Sequence, residues 1–147
     1  MKAFDRLSVL FSFKNEENNL PQLIERTVSS CESSKSDGLI DNYEIIFIDD
    51  ASTDKSLEII ESQKRKYSSI KVHSTTRSFG NAECLRYAFK VAKGDLIVYL
   101  DADLQDPPEL INSMIVEMNK SDVDIVYSRR LSRKGEPRLK LIITCGF

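Results

Sequence analysis

Glycine, histidine and cysteine are all scarce in this chain, and each scarcity closes off a class of function. With five glycines in 147 residues, no G-x-G-x-x-G follows an apolar run, so dinucleotide binding of the Rossmann type lacks its tight turn. No G-x-x-x-x-G-K-S/T occurs either, which excludes a P-loop. The turn after the first apolar run, Lys14-Asn15-Glu16-Glu17-Asn18, has no glycine, unlike the Gly-rich basic turn of a sugar-phosphate nucleotidyltransferase. Cys31, Cys84 and Cys145 are odd in number, far apart and without C-x-x-C spacing. They fit a reducing compartment and argue against a zinc site or a disulfide framework. His73, the single histidine, has no partner pattern and is read as structural. Nothing approaches the roughly 18 apolar residues of a membrane span, and Asp5 and Arg6 interrupt any signal-peptide pattern at the N-terminus.

What is present is ordinary for a globular domain: 41% hydrophobic and 30% charged residues, with length for one sheet covered by helices on both faces. The net charge of −2 is too small to indicate a nucleic-acid partner. The charge is unevenly placed, however. Arg129, Arg130, Arg133, Lys134, Arg138 and Lys140 against Glu136 give residues 129–140 a net +5, leaving −7 elsewhere. Such a segment is either a solvated loop or a surface for a phosphate, a lipid headgroup or an acidic partner. Leu139–Phe147 then turns apolar, which reads as the first half of something longer. The expected organisation is a core over residues 1–128 and a basic, then apolar, segment over 129–147.

Along the core, Leu7–Phe13 reads as a strand. Asn19, Pro21 and Gln22 then open a helix with a capping box, followed by Leu20, Leu23, Ile24, Val28 and Cys31 at helical spacing. Ser33–Asn42 is a loop by composition. Glu44–Ile48 is a second strand, followed by helix-start chemistry at Ser52, Thr53 and Asp54 and a stripe of Leu57, Ile60 and Tyr67. Ile70–Thr75 is a weaker strand. A helix over Asn81–Ala92 buries Ala82, Leu85, Phe89 and Ala92, with Gly94 as its stop. Leu96–Leu100 is the fourth strand. Asp106, Pro107 and Glu109 start a helix with Leu110, Ile111, Met114, Ile115 and Met118 on its apolar face. Val123–Tyr127 is a fifth strand. The alternation implies an α/β fold with a doubly wound, mostly parallel sheet.

In such sheets ligands bind beyond the carboxyl ends of the strands, and acidic residues stand at three of those ends. Asn15–Glu17 follows the first strand, Asp49 and Asp50 the second, Asp101 and Asp103 the fourth. Two carboxylates at i and i+2 just past a buried strand can share one divalent cation, and three polar clusters on one rim make a single cleft. An all-oxygen site of this kind suits Mg²⁺ or Mn²⁺, and Mg²⁺ takes one or two carboxylates plus substrate phosphates and water.

The chain resembles the family 2 glycosyltransferases of the GT-A fold, most closely the branch of dolichol-phosphate mannose synthase and bacterial polyprenyl-phosphate glycosyltransferases. The likeness rests on Asn15-Glu16-Glu17-Asn18-Asn19-Leu20-Pro21, on Tyr43 through Asp54, on Arg77-Ser78-Phe79-Gly80-Asn81, and on Gly94-Asp95 through Asp101-Ala102-Asp103-Leu104-Gln105-Asp106-Pro107-Pro108-Glu109-Leu110. It spans nearly the whole chain. One departure is that Ser12 and Lys14 stand where the family commonly has Pro-x-Tyr.

This resemblance implies an inverting transferase moving a sugar from a UDP- or GDP-linked donor to a polyprenyl phosphate. Asn15, Glu17 and Asp50 would contact the nucleoside, with Asp49 shaping the pocket. Asp101 and Asp103 would face the diphosphate, Asp103 being the more direct metal ligand, and Gln105 would lie near metal and sugar. Arg129, with Arg133, would point toward phosphates. The protein would work in the cytoplasm at the inner face of an anionic membrane, with a homo-oligomer left open. Other readings of the same residues are structural. Asp50 would cap the following helix, Glu17 would be a solvated first-turn acid, Asp106 a cap and Gln105 a turn stabiliser. Arg77 would form a salt bridge, and Phe79 and Gly80 would pack helix on sheet. Alternatives at the level of function are a saccharide acceptor, or a fragment that binds nucleotide without turnover.

Overall fold

The apolar runs at Leu7–Phe13 and Glu44–Ile48 form the centre of a parallel sheet. They lie within β1 (Phe4–Phe13) and β2 (Ile40–Asp49), which pair with Phe11 opposite Phe47 and Phe13 opposite Asp49. The computed structural model describes residues 4–121 and 123–128. Among these, β3 (Ile70–Ser74) flanks β2 and β4 (Leu96–Tyr99) flanks β1, giving the all-parallel order β3-β2-β1-β4.

Period-two alternation splits the core into two layers. Leu7, Val9, Phe11 and Phe13 of β1 and Ile45 and Phe47 of β2 face α1 (Leu20–Ser36), α2 (Ser56–Lys66) and α4 (Leu110–Ser121). Those helices contribute Leu20, Leu23, Ile24, Ile60, Ile111 and Ile115. Phe11 and Phe47 stack at 5.0 Å between ring centroids, with Phe13 edge-on to Phe47 at 6.2 Å. Leu10, Ile46 and Ile48 point the other way, onto Cys84 and Ala88 of α3 (Asn81–Val91). Each fully buried Leu, Ile or Phe contributes about 1.5–3 kcal/mol. The expected doubly wound α/β sheet is therefore present. Because β4 returns beside β1, the strand order reverses between these two, which opens a crevice past their carboxyl ends.

Several local expectations are corrected. Residues 33–36 belong to α1, whose buried hydroxyls bond back along the helix: Thr27 Oγ1 to Leu23 O at 2.7 Å and Ser34 Oγ to Ser30 O at 3.0 Å. The chain turns at Gly38 (φ +68°) and is already strand at Ile40. The capping box at Asn19 does not form, since Asn19 Nδ2 donates instead to Glu16 Oε2 at 2.6 Å. On α3 the apolar face is rotated: Cys84 and Ala88 are buried and Phe89 is exposed, because small side chains let the helix lie close to the sheet. The regular turns of α4 begin only at Leu110. Pro108 disfavours helical backbone at Pro107, and Glu109 makes a two-pronged ion pair with Arg26 at 2.8 and 2.6 Å. Val123–Tyr127 is not a strand, and Ile125 and Tyr127 are 78% and 81% exposed. No described strand pairs with it, and β-prone residues form a strand only against a partner.

Candidate functional site

Among the described residues, three other than glycine adopt the left-handed backbone region: Asn15 (φ 56°), Ala51 (φ 55°) and Leu104 (φ 62°). They lie in the loops that follow β1, β2 and β4, on the same rim of the sheet. Such a conformation costs on the order of 1–3 kcal/mol and persists only where the surroundings enforce it. Here two of the loops enforce each other. Asn15 N donates to Ser52 Oγ at 2.9 Å, Thr53 N to Asn15 Oδ1 at 2.8 Å and Glu16 N to Ser56 Oγ at 2.8 Å. Glu17 N donates to Asp54 Oδ2 at 3.2 Å, and Lys55 N to Glu17 Oε2 at 2.9 Å. Asp49 is buried and anchors the same turn, accepting from Ser52 N at 2.9 Å and from Ser74 Oγ of β3 at 2.8 Å.

Beside this knot lies a cavity of about 200 Å³ at the point where the strand order reverses. The end of β1 lines it with Ser12 and Phe13 and the loop that follows with Lys14 and Glu16, the loop after β2 with Asp50, α3 with Asn81, and the loop after β4 with Asp101, Ala102 and Asp103. The two acidic strand ends thus share one cavity. A second, polar cavity of about 400 Å³ sits at the opposite end of the sheet, against Lys35, Tyr43 and Lys66. It holds none of the candidate site residues read from the sequence.

Asp50 is buried and its carboxylate is clamped by the segment entering α3. Ser78 Oγ donates to Oδ2 at 2.6 Å, Phe79 N to Oδ1 at 2.6 Å and Gly80 N to Oδ2 at 3.1 Å. Burial alone raises its pKa, but these donated hydrogen bonds outweigh that and hold it below the ordinary carboxylate range. Asp50 therefore secures the N-terminus of α3 rather than that of the helix that follows it. Asp101 Oδ1 accepts from the Tyr99 hydroxyl at 2.7 Å, and Asp103 Oδ1 from Gln105 N at 3.0 Å. Burial, then the neighbouring Asp101, pushes the Tyr99 hydroxyl up to about 12.

Of the residues expected at the site, Asp50, Asp101 and Asp103 line the cavity. Asn15, Glu17 and Asp49 stand beside it with side chains engaged by the loop backbones, and Gln105 is on the exposed rim. Arg129 and Arg133 lie outside the described residues. Glu17 is half-buried, and one oxygen of its carboxylate accepts from Lys55 N. Gly80 is required by its backbone (φ +88°), since a Cβ there meets nothing within 4 Å, and Phe79 is 47% exposed with Arg77 4.5 Å above its ring. Neither packs helix on sheet. Sequence reasoning missed Asn81 and Tyr99. The signal for Tyr99 was its spacing of two from Asp101, which on an extended segment places both on one face.

Asp101 and Asp103 supply two oxygen donors, and among the described residues no third carboxylate, histidine or cysteine converges with them on one point. Two carboxylates plus phosphate and water oxygens is a donor set that fits Mg²⁺ or Mn²⁺.

Comparison with known proteins shows the family and the fold. The chain is 38% identical over 130 residues to the undecaprenyl-phosphate 4-deoxy-4-formamido-L-arabinose transferase of Photorhabdus laumondii, covering 88% of this chain and 38% of that protein. Its fold is shared with S. aureus TarS in complex with UDP-GlcNAc, at TM-score 0.67 and 22% identity over 90% of this chain and 37% of that one. It is also shared with the mannosyltransferase PcManGT from Pyrobaculum calidifontis in complex with GDP-Man and Mn²⁺, at TM-score 0.60 and 20% identity over 70% and 28% of the two chains. The chain spans about two fifths of the length of the curated relative it matches. Residues 8–143 match the model described as Glycosyl transferase family 2, and the chain belongs to that family.

Proposed function

We propose that this chain is the donor-binding half of an inverting transferase that moves a sugar from a nucleoside diphosphate to a polyprenyl phosphate. The observation that carries the reading is the single cavity shared by Asp50, Asp101 and Asp103 where the strand order reverses. The acceptor class is supported by the named activity of the undecaprenyl-phosphate relative. The donor class is supported by the fold neighbours in complex with UDP-GlcNAc and GDP-Man.

In this reading Asp103, with Asp101, holds a divalent cation, and that cation when bound supplies positive charge to the diphosphate. Glu17, Asn15 and Asp49 keep the nucleoside side of the pocket in shape, and Asp50 faces base or ribose from the cavity wall. An oxygen of the acceptor phosphate attacks the anomeric carbon while the bond from that carbon to the diphosphate breaks on the opposite face, the electron pair leaving with the nucleotide. A phosphate nucleophile is already anionic near neutral pH, so no protein group need remove a proton. Stabilising the leaving diphosphate is the harder task. Arg129 assists there, and Gln105 lies near the sugar.

Calorimetric titration of UDP- and GDP-linked sugars, with and without Mn²⁺, tests the donor half. Binding is expected to be weak without Mn²⁺ and to tighten with it, and Asp103→Ala is expected to lose that gain. Equal affinity in both proteins rejects the assignment. Transfer of labelled sugar to undecaprenyl phosphate rather than to a soluble oligosaccharide tests the acceptor, and the reverse preference favours the saccharide alternative.

A further inference from the structure

We propose that Tyr99 and Asn81 are positioning residues. With Ser12 they form a directed hydrogen-bond relay that fixes the Asp101 carboxylate and ties it to the segment held by Asp50. The inference rests on the reading that Asp101 and Asp103 hold the cation.

The relay follows from atoms and their donor capacity. Ser12 Oγ lies 2.5 Å from Asn81 Oδ1, Asn81 Nδ2 lies 3.0 Å from the Tyr99 hydroxyl oxygen, and that hydroxyl lies 2.7 Å from Asp101 Oδ1. A phenol has one hydrogen to give. The charged acceptor at 2.7 Å takes it in preference to Asn81 Oδ1 at 3.3 Å, because a bond to an ionised oxygen is the stronger. The remaining hydrogens then all run one way, from Ser12 to the Asn81 carbonyl, from the Asn81 amide to Tyr99, and from Tyr99 to Asp101. Bonds aligned in this sense reinforce one another.

The relay joins three elements at the point of strand reversal. Ser12 belongs to β1, Asn81 is the first residue of α3 and Tyr99 is the last of β4. Asn81 also directly follows Ser78, Phe79 and Gly80, the three residues whose donors clamp Asp50. The acidic ends of β2 and β4, separated in the sheet by β1, are thereby linked through one helix N-terminus. Asp101 stands in a loop with no other described hydrogen bond to its carboxylate. Without Tyr99 it is free to sample rotamers, and with it one oxygen is committed and the other remains for a ligand.

Tyr99→Phe keeps the ring and deletes the donor, while Asn81→Ala removes the link behind it. In the full chain with UDP or GDP present, Mn²⁺ sequestration is read by electron paramagnetic resonance, beside thermal melting and nucleotide binding in EDTA. The Mn²⁺ concentration for half-saturation is expected to rise about tenfold or more in Tyr99→Phe, the scale at which groups orienting a metal ligand act. Melting and metal-free nucleotide binding stay at wild-type values. Asn81→Ala weakens Mn²⁺ in the same direction but adds nothing in the Tyr99→Phe background, because it acts through the same hydroxyl. Wild-type sequestration in Tyr99→Phe, with sequestration lost in Asp103→Ala, overturns the relay alone. So does additive behaviour of the two relay variants. Wild-type sequestration in Asp103→Ala overturns the cation site and the relay with it.

Discussion

Gly94 shows how little room one position leaves. A Cβ there would lie 2.7 Å from Arg6 O, Ser8 N and Ser8 Oγ, two of which are backbone atoms that cannot swing aside. Its own N–H donates to Ser8 Oγ at 2.9 Å, and that hydroxyl donates to Glu44 Oε1 at 2.7 Å. Gly94→Ala is therefore expected to destabilise the fold by about 1–3 kcal/mol, the range for overpacking a close contact. Urea unfolding measures it, and an unchanged midpoint would mean that β1 yields at no cost. From sequence Gly94 reads as a helix stop, yet α3 has already ended at Val91; the close approach exists only once β1 and the segment before β4 are side by side. The same difference separates the legible site residues from the rest. That Asp50, Asp101 and Asp103 share one cavity was readable because acids ending the buried runs of a parallel sheet fall on the same edge. Asn81 and Tyr99 were not, because their polar groups acquire meaning only from partners 69 and 18 residues away.

Among the elements, the sheet strands and their order of alternation were legible because continuous apolar runs specify burial on both faces. The start of α4 and the extent of α1 were not, since Arg26 and the buried hydroxyls of Thr27 and Ser34 outweigh local capping preferences. Two carboxylates fasten elements together and set a pH dependence. Asp50 holds the entry to α3. Glu44 of β2 is buried, pairs with Lys71 of β3 and accepts from Ser8 Oγ and Lys93 N at 2.7 Å each. Burial opposes the charge on both, but the hydrogen bonds, and for Glu44 the Lys71 ammonium, leave both pKa values lowered. A folded-state pKa below the unfolded one stabilises the fold above the unfolded value, about 4 for a carboxyl, and that stabilisation is lost as pH falls through the folded value. Urea midpoints are accordingly expected to be level near neutrality and to drop below about pH 4, with a shallower drop in Asp50→Asn. Identical acid slopes in wild type and variant would show that Asp50 binds no fewer protons folded than unfolded.

For the whole molecule, charge is segregated by sequence: residues 129–140 carry a net +5 and the remainder −7. Among the described residues, the cavity is lined by Glu16, Asp50, Asp101 and Asp103 against the single cation Lys14, a negative balance that disfavours a diphosphate unless a further cation intervenes and so agrees with the proposed metal dependence. No helix among the described residues is long and apolar enough to cross a membrane. For the proposed polyprenyl acceptor, the basic segment has the sign to meet an anionic lipid surface, each cation near such a leaflet contributing about 1 kcal/mol. Vesicles containing anionic lipid are expected to sediment the protein at low salt, whereas neutral vesicles are not. Binding should fade as ionic strength rises, because screening shortens the reach of surface charge from roughly 10 Å at 0.1 M to 3 Å at 1 M. Replacing Lys134 and Arg138 together by alanine removes two cations, about 2 kcal/mol by the same measure, and should weaken vesicle binding at least tenfold. The cavity's affinity for nucleotide should remain unaltered. Sedimentation indifferent to lipid charge, or equal for the double variant and wild type, would remove the membrane from the proposed function.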